Sequence, residues 1–245
     1  MNIDKMNGGL RFLLEKYCPG SCAEIAAEPG PGCGAVLRMG NRGVTLLPWR
    51  VERRFAELKK LAVDGTLEDV STLRFAVMSA EEPLRNLLYR ELDLSVFLGG
   101  SPVRSAFAVT SGDRIANVLL KLADGKSVSL ECSAALPEGT EPLDRHEIIA
   151  RRGIACDRTV DTQVPQSSIY LFRAGEETRY TDIDSELYGL GNREIWIVRA
   201  AFAVMKEPAL SAVWNAAGEC LRRMTNAVLN TAETGKPVLF QEEFA

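Results

Sequence analysis

His146 is the side chain of this 245-residue sequence best suited to acid–base chemistry, because it is the only histidine. Imidazole has an unperturbed pKa near neutrality, so it can gain and lose a proton at physiological pH. Cys132 and Cys156 could lie near it, but a single histidine does not complete a Ser/His/Asp triad. His146 is thus either a ligand-binding residue or an exposed or half-buried strand residue, and the second interpretation is favoured.

Cys18, Cys22 and Cys33 form the only cluster among the six cysteines. Closely spaced thiolates can hold zinc or an iron–sulfur cluster. The spacing here matches no standard zinc pattern, however, and the only histidine is distant in sequence. Reduced, partly buried thiols are the commoner state, so we expect no metal site.

Binding of a dinucleotide needs a glycine-rich turn between a strand and a helix N-terminus, where backbone amides meet the pyrophosphate. The nearest glycine clusters lie at 30–34 and 189–191. Pro29 and Pro31 remove amide donors at the first cluster, and neither is followed by the required βαβ length and acidic ribose ligand. We therefore expect no dinucleotide site and no cofactor in these 245 residues.

Composition excludes several classes of partner. The net charge is −4 with an isoelectric point near 5.3, so there is no basic excess for nucleic acid. No apolar segment approaches the roughly 18 residues that span a bilayer. The first residues mix charge and glycine and lack the pattern of a secretory signal, so we expect a cytoplasmic protein without membrane contact.

Hydrophobic periodicity predicts the elements that would position these residues. Helical spacing predicts helices at 8–17, 51–63, 84–98, 192–206 and 208–233. Short apolar or alternating segments predict strands at 21–27, 44–47, 72–78, 103–110, 114–122, 126–136, 146–150, 154–159, 168–173, 177–181 and 237–241. Hairpin-linked strands with segregated helices indicate an α+β fold, with a large mostly antiparallel sheet carrying helices on one face.

Several segments, in order along residues 50–241, resemble the Gfo/Idh/MocA oxidoreductases, which act mostly on sugars and polyols with NAD or NADP. An arginine-led helix ends at Asp64-Gly65 and leads into a strand, as in that family. The other matching segments are ELDLSVFLGGSPVRSAFAV, VLLKLADGKSVSLECSA, HEIIARRGIACD and NAVLNTAETGKPVLF. The segment LRFLLEKYCPGSCAEIAAEP is similar to the end of that family's Rossmann domain.

This resemblance implies two parts. Residues 1–50 would be a truncated Rossmann remnant, and residues 51–245 a C-terminal α+β domain like that of dihydrodipicolinate reductase. In the resembling family the large sheet of this domain commonly supplies the oligomer interface.

The resemblance also implies that the family's catalytic positions have changed. Glu28 falls at the family's lysine, Asn86 at its upstream acid and Arg90 at its proton-transfer histidine. A carboxylate cannot replace a polarising ammonium, and arginine stays protonated and cannot act as a base.

Other residues keep the family's pattern, among them Trp49, Arg50 and Asp93. A structural role is the favoured interpretation of these three. The residues that could bind a ligand are Arg50, Arg53, Arg90, Asp93 and His146.

We therefore expect an oxidoreductase-like, non-catalytic protein that acts as a homo-oligomer through its large sheet or as the companion of a full-length relative. The alternative is an enzyme or a sensor that uses the remaining cleft to bind a sugar or sugar acid.

Overall fold

The structure, a computed structural model, describes residues 1–157, 168–173, 176–181, 184, 186, 187 and 189–240. The chain divides into two compact units. Unit 1 comprises Met1–Glu52 and Ile183–Arg222, and unit 2 comprises Arg53–Asp182 and Arg223–Ala245. The origin of the first fifty residues as a Rossmann remnant, and the domain bounds near residue 50, stay predictions.

Unit 1 combines helices with a small sheet. Its elements are α1 (Ile3–Tyr17), β1 (Glu24–Ala27), β2 (Ala35–Met39), β3 (Arg42–Thr45), a 3-10 helix (Pro48–Arg50), α4 (Asn192–Lys206) and the first half of α5 (Ala209–Thr234). The strands form an antiparallel sheet in the order β1-β2-β3. Helix α1 begins where the Asn2 side chain accepts a hydrogen bond from the Lys5 amide, and it buries an apolar stripe that includes Met6, Leu10 and Leu13.

Asn7 fixes α1 to β1. Its side-chain nitrogen donates to the carbonyl oxygen of Ile25 at 2.9 Å, and its side-chain oxygen accepts from the amide of Ile25 at 2.7 Å. The amide side chain thus satisfies both backbone groups of a strand residue, which fixes the distance between helix and strand.

Helix α5 covers the outer edge of β3 in a similar way. Asn215 accepts from the Thr45 amide at 2.8 Å and donates to the Gly43 carbonyl oxygen at 3.1 Å. One turn later, Gly218 lies so close to β3 that an added Cβ would lie 2.8 Å from Cγ2 of Thr45. A glycine on the helix therefore permits this close packing.

Unit 2 is built around a seven-stranded sheet. Its helices are α2 (Arg53–Val63), α3 (Leu84–Gly99) and the end of α5. Its strands are β4 (Val70–Met78), β5 (Val103–Ser111), β6 (Ile115–Leu122), β7 (Ser127–Ser133), β8 (Leu143–Ala150), β9 (Gly153–Cys156), β10 (Ser168–Arg173), β11 (Glu176–Thr181) and β12 (Val238–Leu239). The large sheet has the order β12-β5-β6-β7-β4-β8-β9, and β10 pairs separately with β11.

Alternation along the strands gives the large sheet one buried face. Leu73, Phe75 and Val77 of β4 are buried, and the register places Phe75 opposite His146 of β8. Helix α3 contacts β4, β6 and β7. Among the described strands, only the β4–β7 pair is parallel, so the sheet is mostly antiparallel and the predicted α+β class is confirmed.

The predicted elements are mostly confirmed, with ends shifted by a few residues. Helix α1 begins at Ile3 rather than residue 8, because the prediction was based on the apolar stripe that begins at Leu10 and missed the cap at Asn2. Strand β2 was not predicted, since its glycine- and proline-rich approach was interpreted as a loop. Residues 158 and 159 of one predicted strand and residue 241 of another lie outside the described residues.

Within the described part of the chain, no helix is both long and apolar enough to cross a membrane. Helix α5 has the length, with 26 residues, but not the composition.

We predict that Gly218→Ala destabilises the protein by about 1–3 kcal/mol, because the new methyl group overlaps the stiff side chain of Thr45. Gly8→Ala is the matched control: it is also a helical glycine, but nothing lies within 4 Å of an added Cβ. That variant should gain about 0.5–1 kcal/mol from helix propensity. Urea unfolding measures both.

Adding Thr45→Ala to Gly218→Ala should recover stability, because it removes the overlapping atoms. If Gly218→Ala instead stabilises the protein as Gly8→Ala does, α5 does not pack against β3 as closely as the structure shows.

Candidate functional site

Unit 2 contains a group of six charged side chains that meet at one end of the sheet's buried face. We call it the His146 cluster; its members are Arg54, Arg90, Glu91, Asp144, His146 and Asp157. They come from α2, α3, β8 and the residue that follows β9. The cluster therefore joins four segments that are distant in sequence.

Both ring nitrogens of His146 face a carboxylate. Nδ1 lies 2.7 Å from Oδ2 of Asp157, and Nε2 lies 2.9 Å from Oε2 of Glu91. All three side chains are fully buried. Burial by itself lowers the pKa of His146, but the two carboxylates outweigh it and raise the pKa to about 9. His146 is thus an imidazolium that donates to both neighbours at neutral pH.

The two arginines complete the network. Arg90 donates to Glu91 Oε1 at 2.6 Å and to Asp144 Oδ1 at 2.6 Å. Arg54 donates to Asp144 Oδ2 at 2.5 Å and to Asp157 Oδ2 at 3.0 Å. Burial acts to raise the pKa of Asp144, but the two guanidinium groups hold it far below its usual range.

The charges of the cluster cancel. Three carboxylates face two guanidinium groups and one imidazolium, so the net charge is zero when His146 is protonated. A buried cluster with an unbalanced charge would carry a desolvation penalty of several kcal/mol. Protonation of His146 is therefore what permits so many charges to be buried together.

Strand geometry and two neighbouring aromatic rings position the imidazole ring of His146. Asp144 and His146 are two residues apart on β8, so both point to the buried face. The Asp157 side chain also accepts from the His146 amide at 2.8 Å. Phe55 packs edge-on at 4.7 Å between ring centroids and Phe75 lies at 4.8 Å, so the ring has one orientation.

Glu91, Asp144 and His146 are also spaced for a metal ion, with one ligand atom from each lying within 4.8 Å of the others. A divalent cation would have to displace the proton on Nε2 of His146. It would also add charge beside two guanidinium groups that already balance the carboxylates. The arrangement favours a proton at this place over a metal ion.

The two glycine clusters do not fit a dinucleotide. Residues 29–34 connect β1 to the antiparallel β2, rather than a strand to a helix. Gly191 does precede α4, but its amide already donates to Oε2 of Glu194 at 3.1 Å. Hydrogen bonds from the amides of Asn2 and Gly191 lower the pKa of Glu194, which fixes a negative charge at this helix N-terminus. A pyrophosphate would be repelled there.

Comparison with solved structures shows the fold. A putative myo-inositol dehydrogenase from Sinorhizobium meliloti 1021 matches 81% of this chain and 65% of its own, at 18% identity and a TM-score of 0.58. An oxidoreductase from Agrobacterium radiobacter, in complex with NAD+, L-tartaric acid and magnesium, matches 80% of this chain and 64% of its own, at 16% identity and a TM-score of 0.62. The chain has the fold of the Gfo/Idh/MocA oxidoreductases.

A scyllo-inositol dehydrogenase from Lactobacillus casei, with bound NAD(H) and scyllo-inositol, has the same fold at 13% identity and a TM-score of 0.56, over 79% of this chain and 63% of its own. This chain thus spans less than two thirds of the length of each of these structures. No protein-family model and no curated protein matches the sequence.

The structure brings together Arg90 and His146, two of the five predicted ligand-binding residues. The expectation of an exposed or half-buried His146 is wrong, because the charges that surround the ring permit its complete burial. Asp93 is buried in α3, whereas Arg53 is exposed at the start of α2 and Arg50 is half-buried at the end of the 3-10 helix.

Glu28 and Asn86, the other two positions assigned by the Gfo/Idh/MocA resemblance, are not members of the His146 cluster. Glu28 is exposed in the β1–β2 connection, and the Asn86 side chain donates to Glu82 at 3.0 Å.

Cys132 is buried, and burial together with the charge of Glu91 raises its pKa well above the usual range, so it is no nucleophile. Cys156 is exposed on β9.

Sequence reasoning missed four members of the cluster, which are Arg54, Glu91, Asp144 and Asp157. The spacing of Asp144 and His146 on one strand was a usable signal, since period two places both on the same face. Nothing in the sequence linked either to Arg54 or Glu91, because those contacts join residues 55 to 90 positions apart.

We predict that the free energy of unfolding falls by about 3 kcal/mol between pH 6.5 and pH 9.5 as His146 loses its proton. The folded pKa of about 9 lies above the ordinary 6.5. The stabilisation is therefore fully present below pH 6.5 and is lost as the pH rises through 9. Urea unfolding at a series of pH values measures it.

His146→Gln supplies the control for this prediction. It should be less stable than the wild type at pH 6 by about 3–5 kcal/mol and lack the alkaline decline, because it leaves buried carboxylates without their cation. Arg151→Gln breaks the exposed pair with Glu68 and should change stability by less than about 1 kcal/mol. Parallel pH profiles for His146→Gln and the wild type would contradict the assignment.

Proposed function

We propose that this chain is an oxidoreductase-like protein that does not transfer hydride with a nucleotide site of its own and instead acts by association through its large sheet. The observation that carries the proposal is the state of Arg90. By the Gfo/Idh/MocA resemblance, Arg90 stands where proton transfer would occur.

Arg90 has no capacity for that chemistry. Its guanidinium donates to Glu91 and to both oxygens of Asp144, and these carboxylates raise its pKa further above its usual range. The nearby His146 is committed to Glu91 and Asp157 and is fully buried. A general base needs both a free lone pair and access to substrate, so neither residue meets the requirement.

The surface that we assign to association is the outer face of the large sheet, opposite the buried face that holds His146. The strand register places Phe107, Leu119, Ser129, Arg74 and Glu147 side by side across it. Leu119 is 63% exposed, and Val109, also on this face, is 58% exposed. Exposed apolar side chains in the middle of a sheet are typical of an interface.

Charge and size also fit a second copy of the chain. Beside the apolar side chains, the outer face carries Arg74 and Arg145 next to Glu131 and Glu147. A two-fold arrangement would let arginines of one copy meet glutamates of the other. Five strands of about seven residues present roughly 600 Å², which approaches the ~800 Å² that each partner buries in a standard interface.

We predict that isothermal titration with NAD+ or NADP+ gives no heat of binding up to millimolar ligand. The reason is the carboxylate at the α4 N-terminus and the absence of a glycine-rich strand–turn–helix unit among the described residues. Tight binding of either nucleotide to the 245-residue chain would overturn the proposal.

We predict that Leu119→Glu converts a dimer to a monomer in light scattering and sedimentation, because it buries an unpaired carboxylate in the interface. Val213→Glu is the matched control, since Val213 is 55% exposed but lies on α5. It should leave the dimer intact.

If the wild type stays monomeric at high concentration, the proposal predicts association with a full-length oxidoreductase instead of with a second copy of the chain. A pull-down with the wild type should then recover a full-length oxidoreductase of this fold, and Leu119→Glu should lose it. Recovery by both, or by neither, contradicts association through the outer face.

A second candidate function is binding of a sugar acid, favoured by the open end of the His146 cluster. Arg54, Arg90 and Asp144 keep 22%, 22% and 25% of their side-chain surface exposed. Arginines of this kind can hold a carboxylate through paired hydrogen bonds. The Agrobacterium radiobacter structure, which contains L-tartaric acid, suggests the class of ligand to test.

If this second function is correct, L-tartrate at millimolar concentration raises the melting temperature of the wild type, because ligand that binds only the folded state stabilises it. Arg53→Gln, an exposed arginine of the same helix as Arg54, should keep the shift. An equal response to tartrate and to sodium sulfate would indicate an ionic effect without a site.

A further inference from the structure

Among Cys18, Cys22 and Cys33, the environment of Cys33 differs from that of the other two. Cys33 is buried, with Sγ 3.3 Å from the carbonyl oxygen of Ala35 and 3.5 Å from that of Leu46. Burial raises its pKa to about 11. In the described residues, Cys18, Cys22 and Cys33 do not come together as metal ligands. Cys18 and Cys22 remain to be explained.

A tight turn lies between these two cysteines: it begins at Cys18 and ends at Ser21, the residue before Cys22. The Ser21 amide donates to the Cys18 carbonyl oxygen at 3.1 Å, and Gly20 has a φ of +87° after Pro19. Proline followed by a glycine with positive φ is the pattern of a type II turn, in which the chain reverses within four residues. Cys22 is the first residue after this turn.

Both ends of the loop that contains the pair are anchored. The Cys18 amide donates to the Leu14 carbonyl oxygen at 2.8 Å and so ends α1. On the other side, Asn7 of α1 makes two hydrogen bonds with Ile25 of β1. Six residues connect α1 to β1, so the anchors restrict how far the two cysteines can separate.

The pair is also accessible. Cys22 is exposed and Cys18 is half-buried, and both are free thiols. Reaction with a soluble disulfide requires a thiol that solvent can reach, and Cys22 is exposed to solvent. A second thiol in the same loop can then resolve the first product.

We propose that Cys18 and Cys22 form a reversible dithiol–disulfide pair, a modification site that reacts with low-molecular-weight disulfides of the glutathione type. The Cys22 thiolate attacks glutathione disulfide, forms a mixed disulfide and releases one glutathione thiolate. The Cys18 thiolate then attacks the Cys22 sulfur and displaces the second glutathione.

The two steps balance. Two cysteine thiols are oxidised to one Cys18–Cys22 disulfide, and one glutathione disulfide is reduced to two glutathione thiols, which take up the two cysteine protons. The reaction is intramolecular in its second step, so its extent depends on the ratio of reduced to oxidised glutathione and not on protein concentration. It is independent of the proposed association through the sheet.

The test exposes the full chain to graded mixtures of reduced and oxidised glutathione, followed by acid quenching, alkylation under denaturing conditions and mass spectrometry. We expect two of the six thiols to be lost in oxidising mixtures. The tryptic peptide 17–38 should contain the Cys18–Cys22 bond and an alkylated Cys33, without retained glutathione. Excess reduced glutathione should restore all six thiols.

Cys18→Ser is the decisive variant, because it removes the resolving thiol. In it, Cys22 should retain glutathione as a mixed disulfide. Cys156→Ser removes another exposed thiol, on β9, and should leave the Cys18–Cys22 bond unchanged. The proposal is overturned if wild type and Cys18→Ser retain equal glutathione on Cys22, or if Cys156 reacts while Cys18 and Cys22 do not.

Discussion

The hydrogen bonds from the His146 imidazolium to Glu91 and Asp157 are the interaction on which the rest of unit 2 depends. They connect β8 to α3 and to the end of β9, and Arg54 extends the connection to α2. Loss of the proton on His146 would leave a net negative charge in the cluster, next to the fully buried side chains of Glu91 and Asp157. The protonation state of one ring therefore influences the packing of four segments.

The state of His146 differs from what acid–base catalysis requires. An acid–base residue in an active site must exchange its proton with substrate, so it needs an accessible position and a pKa near the working pH. In the His146 cluster every carboxylate already has cationic partners, and the central ring lies between Phe55 and Phe75. The same residue types thus contribute stability here.

The two faces of the large sheet place side chains in different environments. On the buried face, ion pairs are shielded from water and are strong. On the outer face, Arg74 is 56% exposed and its pair with Glu147, at 3.8 Å, contributes little to folding. The exposed guanidinium of Arg74 thus remains accessible to a partner, which supports the proposed association through the outer face.

The sequence by itself determined the class of fold and nearly every element, since periods of two and 3.6 residues and the turn residues between them are local properties. The resemblance to the Gfo/Idh/MocA pattern also predicts that Arg90 stands at the position of a histidine, and this placement stays a prediction. Only the tertiary structure decided the state of His146, which the sequence predicted to be an exposed or half-buried strand residue. Its partners Glu91 and Asp157 lie 55 and 11 residues away. The pKa of a buried group depends on charges that folding brings within a few ångströms, and no local pattern specifies them.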